Sequence, residues 1–176
     1  MYKELKLVRI SEKYVKFLSQ VESRVPYNSH NKKGRPFIGI LFEINNKKYF
    51  APLSSPKEKH KHMPNNIDFI KISHGKYGAI NFNNMIPTLD SEINEIDFKS
   101  INDNKYKILL ENQVEWCNIN KNTIKTHAKK LRISYSDGTL PARIKNRCCD
   151  FLLLEKQLEK YLEKENNKDM DMGFSL

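Results

Sequence analysis

The sequence predicts an α+β domain, a strongly curved antiparallel sheet of half-barrel type with helices packed against it. Two observations carry this. Strand-like alternation comes first and helical periodicity takes over from about Tyr106, the order of an α+β rather than a doubly wound fold. A chain of 176 residues, 39% apolar with nine Phe and eight Tyr, can close one core and is too short for two. Residues 1–165 form the domain in this reading, and residues 166–176 are a polar, disordered tail.

Lys3 to Ile10 alternates weakly through Leu5 and Leu7 and reads as a first strand. Ser11 has the residue type of a helix N-cap, and Tyr14, Phe17, Leu18 and Val21 recur at helical spacing to about Glu22. Ser23 to Pro36 has the punctuation of a loop and carries Tyr27, His30, Lys32, Lys33 and Arg35. Phe37 to Ile44 is the most apolar run and reads as a central strand. Asn45 and Asn46 suit the positive backbone angles of a tight hairpin turn.

The returning strand is Lys47 to Ser54. Tyr49, Ala51 and Leu53 alternate with Lys48, Phe50 and Pro52, a half-buried pattern with Phe50 as the exception. Pro56 has no N–H for a ladder and stops it. The hairpin brings Ser54 to Lys57 back beside Arg35 and Pro36, at one end of the sheet. Ile67 to His74 and Ala79 to Pro87 read as further strands, and Glu92 to Ile101 as a strand or a strand leading into a helix. Tyr106, Leu109, Leu110, Gln113, Val114 and Cys117 share one helical face. A helix is predicted over Thr123 to Ile133, and a long last helix reaches about Glu165. Cys117, Cys148 and Cys149 read as buried thiols, since they lack zinc-knuckle spacing.

A net charge of +10 and a pI near 9.4 attract polyanions, nucleic acid first and an anionic membrane second. No apolar run has the length of a membrane span, and the N-terminus has no signal-like apolar core, so the expected location is cytoplasmic. Charge is concentrated. Val25 to His62 holds eight Lys/Arg against two acids, and Lys121 to Arg147 holds eight against Asp137 alone. If both blocks face one way they line a groove for a polynucleotide. The expected RNA contacts are then Lys32, Lys33, Lys59, His60, Lys61 and His62 from the first block. Lys125, Lys129, Lys130, Arg132, Arg143, Lys145 and Arg147 follow from the second. Interleaved Tyr27, Tyr49 and Tyr135 suit stacking on unpaired bases, although such rings more often belong to a core.

No cofactor or metal is expected. His60 and His62 flank a lysine, whose charge opposes a cation, and no carboxylate pair accompanies them. Glycine-rich phosphate loops and GxSxG are absent from the sequence, against triphosphatase or esterase chemistry. Metal-free RNA cleavage fits better. It needs a base for the 2′-OH, cations on the phosphate, and an acid for the leaving 5′-oxygen. Lys57 and Arg35 supply the cations, and Ser54 or Ser55 holds the phosphate or the 2′-OH. Tyr27, Lys57, His60 or His62 can move protons. A non-catalytic RNA- or DNA-binding module that only grips phosphate is the other reading.

The segments ISEKYVKFL, VPY, RPFIGILFEINNKKYFAPLSSPK, GAINFNNMIP and CCDFLLLEKQLEKY resemble the ToxN/AbiQ family, from about Leu7 to Tyr161. The resemblance implies a type III toxin, a metal-independent endoribonuclease of abortive-infection systems, with a fold similar to the MazF/Kid toxins. It implies an RNA antitoxin, cut from a repeated precursor, that folds as a pseudoknot and closes a toxin–RNA hetero-oligomer. It places the family's hydroxyl–Ser–Pro–Lys element on Ser54, Ser55, Pro56 and Lys57, and its basic residue on Arg35. The catalytic-site tyrosine that some members carry a few residues before that base falls near Asn31 in this chain, and Tyr27 is the nearest tyrosine to take that role.

Overall fold

The computed structural model describes residues 4–27 and 34–173. The strands are β1 (Lys6–Ile10), β2 (Phe37–Gly39), β3 (Glu43–Ile44), β4 (Lys47–Ser54), β5 (Phe69–Lys71), β6 (Ala79–Asn81), β7 (Ile86–Thr88) and β8 (Ile93–Glu95). The helices are α1 (Glu12–Ser19), α2 (Glu58–His62), α3 (Asn104–Ile119), α4 (Lys121–Ser136), α5 (Ala142–Lys145) and α6 (Phe151–Gly173). The strands form an open, curved antiparallel sheet in the order β5-β6-β4-β2-β1-β8, with β3 and β7 also on β4, so the predicted class is the observed one.

The predicted hairpin forms at Asn45 and Asn46, with φ of 48° and 60°. β4 pairs with β2 and β3 along one edge and with β6 and β7 along the other. It therefore buries both faces: Tyr49, Phe50, Ala51, Pro52 and Leu53 are all inside. The half-buried pattern predicted for this strand is thus a fully buried one. Phe50 fits because its ring lies over Gly39, where an added Cβ would stand 2.4 Å from the ring.

Three predicted strands are broken. Phe37–Ile44 departs from regular pairing after Gly39, although Leu41 N still donates to Tyr49 O (3.0 Å) and Tyr49 N to Phe42 O (3.0 Å). Ile67–His74 keeps strand geometry only over β5, because Ser73 (φ 47°) and His74 (φ 55°) are left-handed and cannot extend a ladder. Ala79–Pro87 is interrupted by a 3-10 turn at Phe82–Asn84, and the two pieces, β6 and β7, pair separately with β4. α2 covers the basic run after Pro56, to which the sequence reading assigns no element. α6 runs on to Gly173, so helix replaces the predicted disordered tail over residues 166–173.

The helices follow from caps and apolar stripes. Ser11 Oγ accepts from Tyr14 N (3.2 Å) at the start of α1, and Asp103 Oδ1 accepts from Tyr106 N (3.1 Å) at the start of α3. Each such cap stabilises its helix by about 1 kcal/mol. Ile124, Ala128, Leu131 and Tyr135 bury one face of α4, and Phe151, Leu154, Leu158 and Tyr161 one face of α6. Tyr14, on α1, donates to Pro87 O (2.7 Å) and so ties that helix to β7. The three cysteines are free and buried, as predicted, and burial pushes each thiol up to about 12.

One predicted RNA contact is part of this interior. Arg132 is 4% exposed and makes a two-pronged ion pair with buried Glu155, Nε to Oε1 at 2.8 Å and the second nitrogen to Oε2 at 2.9 Å. Tyr49 on β4 donates to the same carboxylate (2.5 Å), and burial, then Glu155, pushes its phenol well above the ordinary tyrosine value. Tyr49 is accordingly not available for stacking on a base. Arg132 sits on the apolar stripe of α4, one residue beyond Leu131, where a charge survives only with a partner.

Arg132→Ala should cost about 3–5 kcal/mol in chemical denaturation, because Glu155 would be left buried and unpaired. Lys129→Ala and Lys130→Ala, on the exposed face, should each stay within about 0.5 kcal/mol of wild type. A mild Arg132 variant would mean that the pair is not holding α4 and α6 to the sheet.

Candidate active site at the end of the central strand

Leu53 N donates to Pro36 O (2.9 Å), so the chain entering β2 lies beside the chain leaving β4. Arg35, Ser54 and Lys57 come together there, as the hairpin register predicts, and all three line both of two adjoining clefts. The first cleft, about 420 Å³, opens between the strand ends and α3, with Ser55, Tyr106, Leu110 and Gln113 in its walls. The second, about 740 Å³, runs over α2 towards α5, with Lys59, His60, Asn81, Arg143 and Arg147 in its walls.

The corner that carries the serines is held from behind. Gln113 Nε2 donates to Tyr77 O (2.7 Å) and to Ser54 O (3.5 Å), which ties α3 to the end of β4. Gly78 has φ of 92°, and a Cβ there would stand 1.8 Å from Ser54 O. Both the backbone angle and the space therefore demand glycine. Ser54 Oγ is half-buried, with long contacts to Ala79 O and Asn81 Nδ2 (3.4 Å each), whereas Ser55 and Lys57 are exposed.

Electrostatics sharpen the corner. Solvent reaches Arg35, yet the cleft walls desolvate its guanidinium and lower its pKa; an arginine keeps its proton regardless. His60 is not the surface histidine that its basic neighbours suggest. It is 2% exposed, packed against Phe69, with Nδ1 buried and unpartnered. Burial, then Lys59 and Lys57, lowers its pKa, so it favours the neutral form.

The remaining predicted contacts divide. Arg143 and Arg147 join Lys57 and Lys59 in the second cleft, but Arg147 is committed to Asp68 through bonds of 2.5 and 2.8 Å. Lys61 pairs with Glu58 (2.8 Å), and His62 is exposed. Lys145 lies over the Tyr135 ring at 5.3 Å. Lys125 lines a separate cleft along β1, β2 and β8, apart from the one in which Arg143 and Arg147 meet the first basic block. Tyr27 donates to Glu12 (3.3 Å) and is not among the described residues lining either cleft. Lys32 and Lys33 lie outside the described residues. Among the described residues no group of three or more His, Cys, Asp or Glu could hold a metal ion.

Sequence reading missed Gln113, Asn81 and Gly78. Gln113 left one trace: a polar side chain on an otherwise apolar helix face is buried and must find backbone partners.

Fold and site define a class: a basic α+β protein with cation-lined clefts at the end of its central strand, suited to a polynucleotide. The family model described as Toxin ToxN, type III toxin-antitoxin system, matches residues 6–159. The chain is 30% identical over 171 residues to Endoribonuclease ToxN of Bacillus thuringiensis subsp. kurstaki, covering 92% of this chain and 87% of that protein. It is 30% identical over 165 residues to Endoribonuclease ToxN of Pectobacterium atrosepticum, covering 89% and 92%. A solved toxin of a type III system, selectively inhibited by a non-coding RNA pseudoknot, superposes with a TM-score of 0.77 at 30% identity, covering 92% of this chain and 99% of that one. AbiQ, a lactococcal anti-phage endoribonuclease, shares the fold with a TM-score of 0.78 at 22% identity, covering 92% and 99%. The chain belongs to the ToxN toxin family of type III toxin–antitoxin systems.

Two outcomes test the support of the corner. Gly78→Ala should destabilise the protein by more than about 1 kcal/mol, read from its melting curve. The lowered pKa of His60 means that the unfolded chain binds more protons in the histidine range, so stability rises with pH. This contribution is complete above the ordinary histidine pKa of about 6.5 and is lost as pH falls from there towards the lower folded value. Wild type should therefore lose more melting temperature than His60→Leu between about pH 7.5 and 5.5. Parallel pH profiles would remove His60 from the linkage.

Proposed function

We propose that this ToxN-family protein is an endoribonuclease toxin that cuts RNA without a metal ion, by attack of a 2′-OH on the adjacent phosphate. The observation that carries the proposal is that Arg35, Ser54 and Lys57 line both clefts at once. A strand passing from one cleft to the other lays a phosphate among them. Arg35 and Lys57 then stabilise the charge that grows on the non-bridging oxygens, and Ser54 or Ser55 holds the phosphate or the 2′-OH in line. The products are a 2′,3′-cyclic phosphate and a 5′-OH. Asn81, beside Ser54, and Arg143, in the second cleft, serve the flanking nucleotides.

The partners in this reading are target mRNA and an RNA antitoxin, released from a repeated precursor by the same cut and folded as a pseudoknot in a closed toxin–RNA assembly. Among the described residues no helix is long and apolar enough to cross a membrane. A cytoplasmic location belongs to this reading, because cellular RNA is the substrate in it.

Single-turnover cleavage of single-stranded RNA in EDTA tests the site. Lys57→Ala should lose on the order of a hundredfold or more, the usual cost of one electrostatic contact to the transition state. Ser55→Ala should lose about a hundredfold through misplacement of the reacting groups. Both side chains are exposed, so melting should be little changed. His62→Ala, on the exposed end of α2, should lose less than about tenfold. A dependence on Mg²⁺, 5′-phosphate products, or full activity in the Lys57 and Ser55 variants would overturn the mechanism.

A further inference from the structure

We infer that the first cleft is a nucleobase subsite, in which one unpaired base of the RNA lies against Tyr106 while its phosphate is held by Arg35, Ser54 and Lys57. The inference rests on the nuclease reading for the phosphate, and on its own observations for the base.

The two clefts that meet at Lys57 differ in chemistry. The second presents Lys57, Lys59 and Arg143 with several asparagines, which suits the sugar–phosphate backbone. The first is walled by Leu53, Leu109 and Leu110, with the half-buried ring of Tyr106 among them and the Asp103 carboxylate at its edge. Beyond the end that Arg35 and Lys57 line, a phosphate there would meet a negative charge and apolar side chains. A base has two apolar faces for Tyr106 and the leucines and polar edges for the rest. The volume of about 420 Å³ falls in the range of roughly 300–1,000 Å³ that small ligands occupy.

The polar atoms of this cleft select within the bases. Gln113 is 1% exposed, and its Nε2 is committed to the carbonyls of Tyr77 and Ser54. Its Oε1 is left buried without a donor. Asp103 uses Oδ1 to cap α3 through Tyr106 N. The cleft thus offers acceptors, and a base with an exocyclic amino group, adenine, cytosine or guanine, supplies the matching donor. Uracil has a single donor, N3–H, flanked by the O2 and O4 acceptors, so its edge meets these oxygens less well and is disfavoured here.

The subsite is tested without catalysis, by calorimetric titration with adenosine and uridine 3′- and 5′-monophosphates and with ribose 5-phosphate as the probe that has no base. Wild type should bind an adenosine monophosphate at least about tenfold tighter than ribose 5-phosphate, which one stacked base readily supplies. Tyr106→Leu should erase that ratio and leave ribose 5-phosphate binding unchanged, whereas Tyr106→Phe should keep it. Asp103→Asn retains an acceptor for the helix cap and should narrow the adenosine-over-uridine preference. Equal affinity of nucleotide and ribose phosphate in wild type, including no measurable binding of either, overturns the subsite. So does a base preference that survives in Tyr106→Leu. Base-dependent binding by a protein that leaves RNA uncut would overturn the nuclease reading and leave the subsite standing.

Discussion

Everything in this molecule depends on the saturation of β4. Its two edges are hydrogen-bonded to β2 and β3 on one side and to β6 and β7 on the other, and its central residues are buried on both faces. Such a strand cannot slip by one residue without exchanging Tyr49 and Leu53 for Phe50 and Pro52 on the faces they fill. Ser54 is its last residue and Pro56 ends the ladder, so the serine corner inherits the rigidity of the whole sheet. Gly78 and Gln113 then hold the Ser54 peptide from behind. A site for in-line attack needs such precision, because small displacements of reacting groups cost large factors in rate.

The protein divides its charges between holding the fold and meeting the ligand. Arg132 serves the fold through Glu155, and Arg147 is committed to Asp68. Glu22, 3% exposed, accepts from Arg24 Nε (2.8 Å), from Arg24 N (2.9 Å) and from Asp150 N (2.8 Å) just ahead of α6. Burial opposes the charge of Glu22, but these bonds outweigh it and hold the carboxyl below its ordinary range. Breaking such pairs strands a buried charge, so they anchor α4 and α6 to the sheet more firmly than surface pairs would. Arg35, Lys57, Lys59 and Arg143 are left to line the clefts, which concentrates positive potential where a polyanion would enter.

Length, apolar fraction and the order of periodicities determined the α+β class, because each reflects local chain physics. Asn45-Asn46 determined the hairpin, since few residues accept two successive left-handed angles. That hairpin, with Pro56 as a stop, was enough to bring Arg35 to Ser54 and Lys57 from sequence alone. The ToxN/AbiQ resemblance rested on this stretch together with four other segments between about Leu7 and Tyr161. Tertiary structure decided what composition cannot weigh. A basic residue reads the same whether it faces solvent or an ion-pair partner 23 positions away, as Arg132 does with Glu155. His60 looked exposed among lysines because nothing local reveals that Phe69 and Gly75 close over it. The breaks in Phe37–Ile44 and Ala79–Pro87 were illegible for the same reason: they serve the fit of both segments against the two edges of β4, a long-range constraint. Gln113 and Tyr106 read as ordinary members of an apolar helix face, and only the packing of α3 beside the end of β4 turned that face into the wall of a cleft.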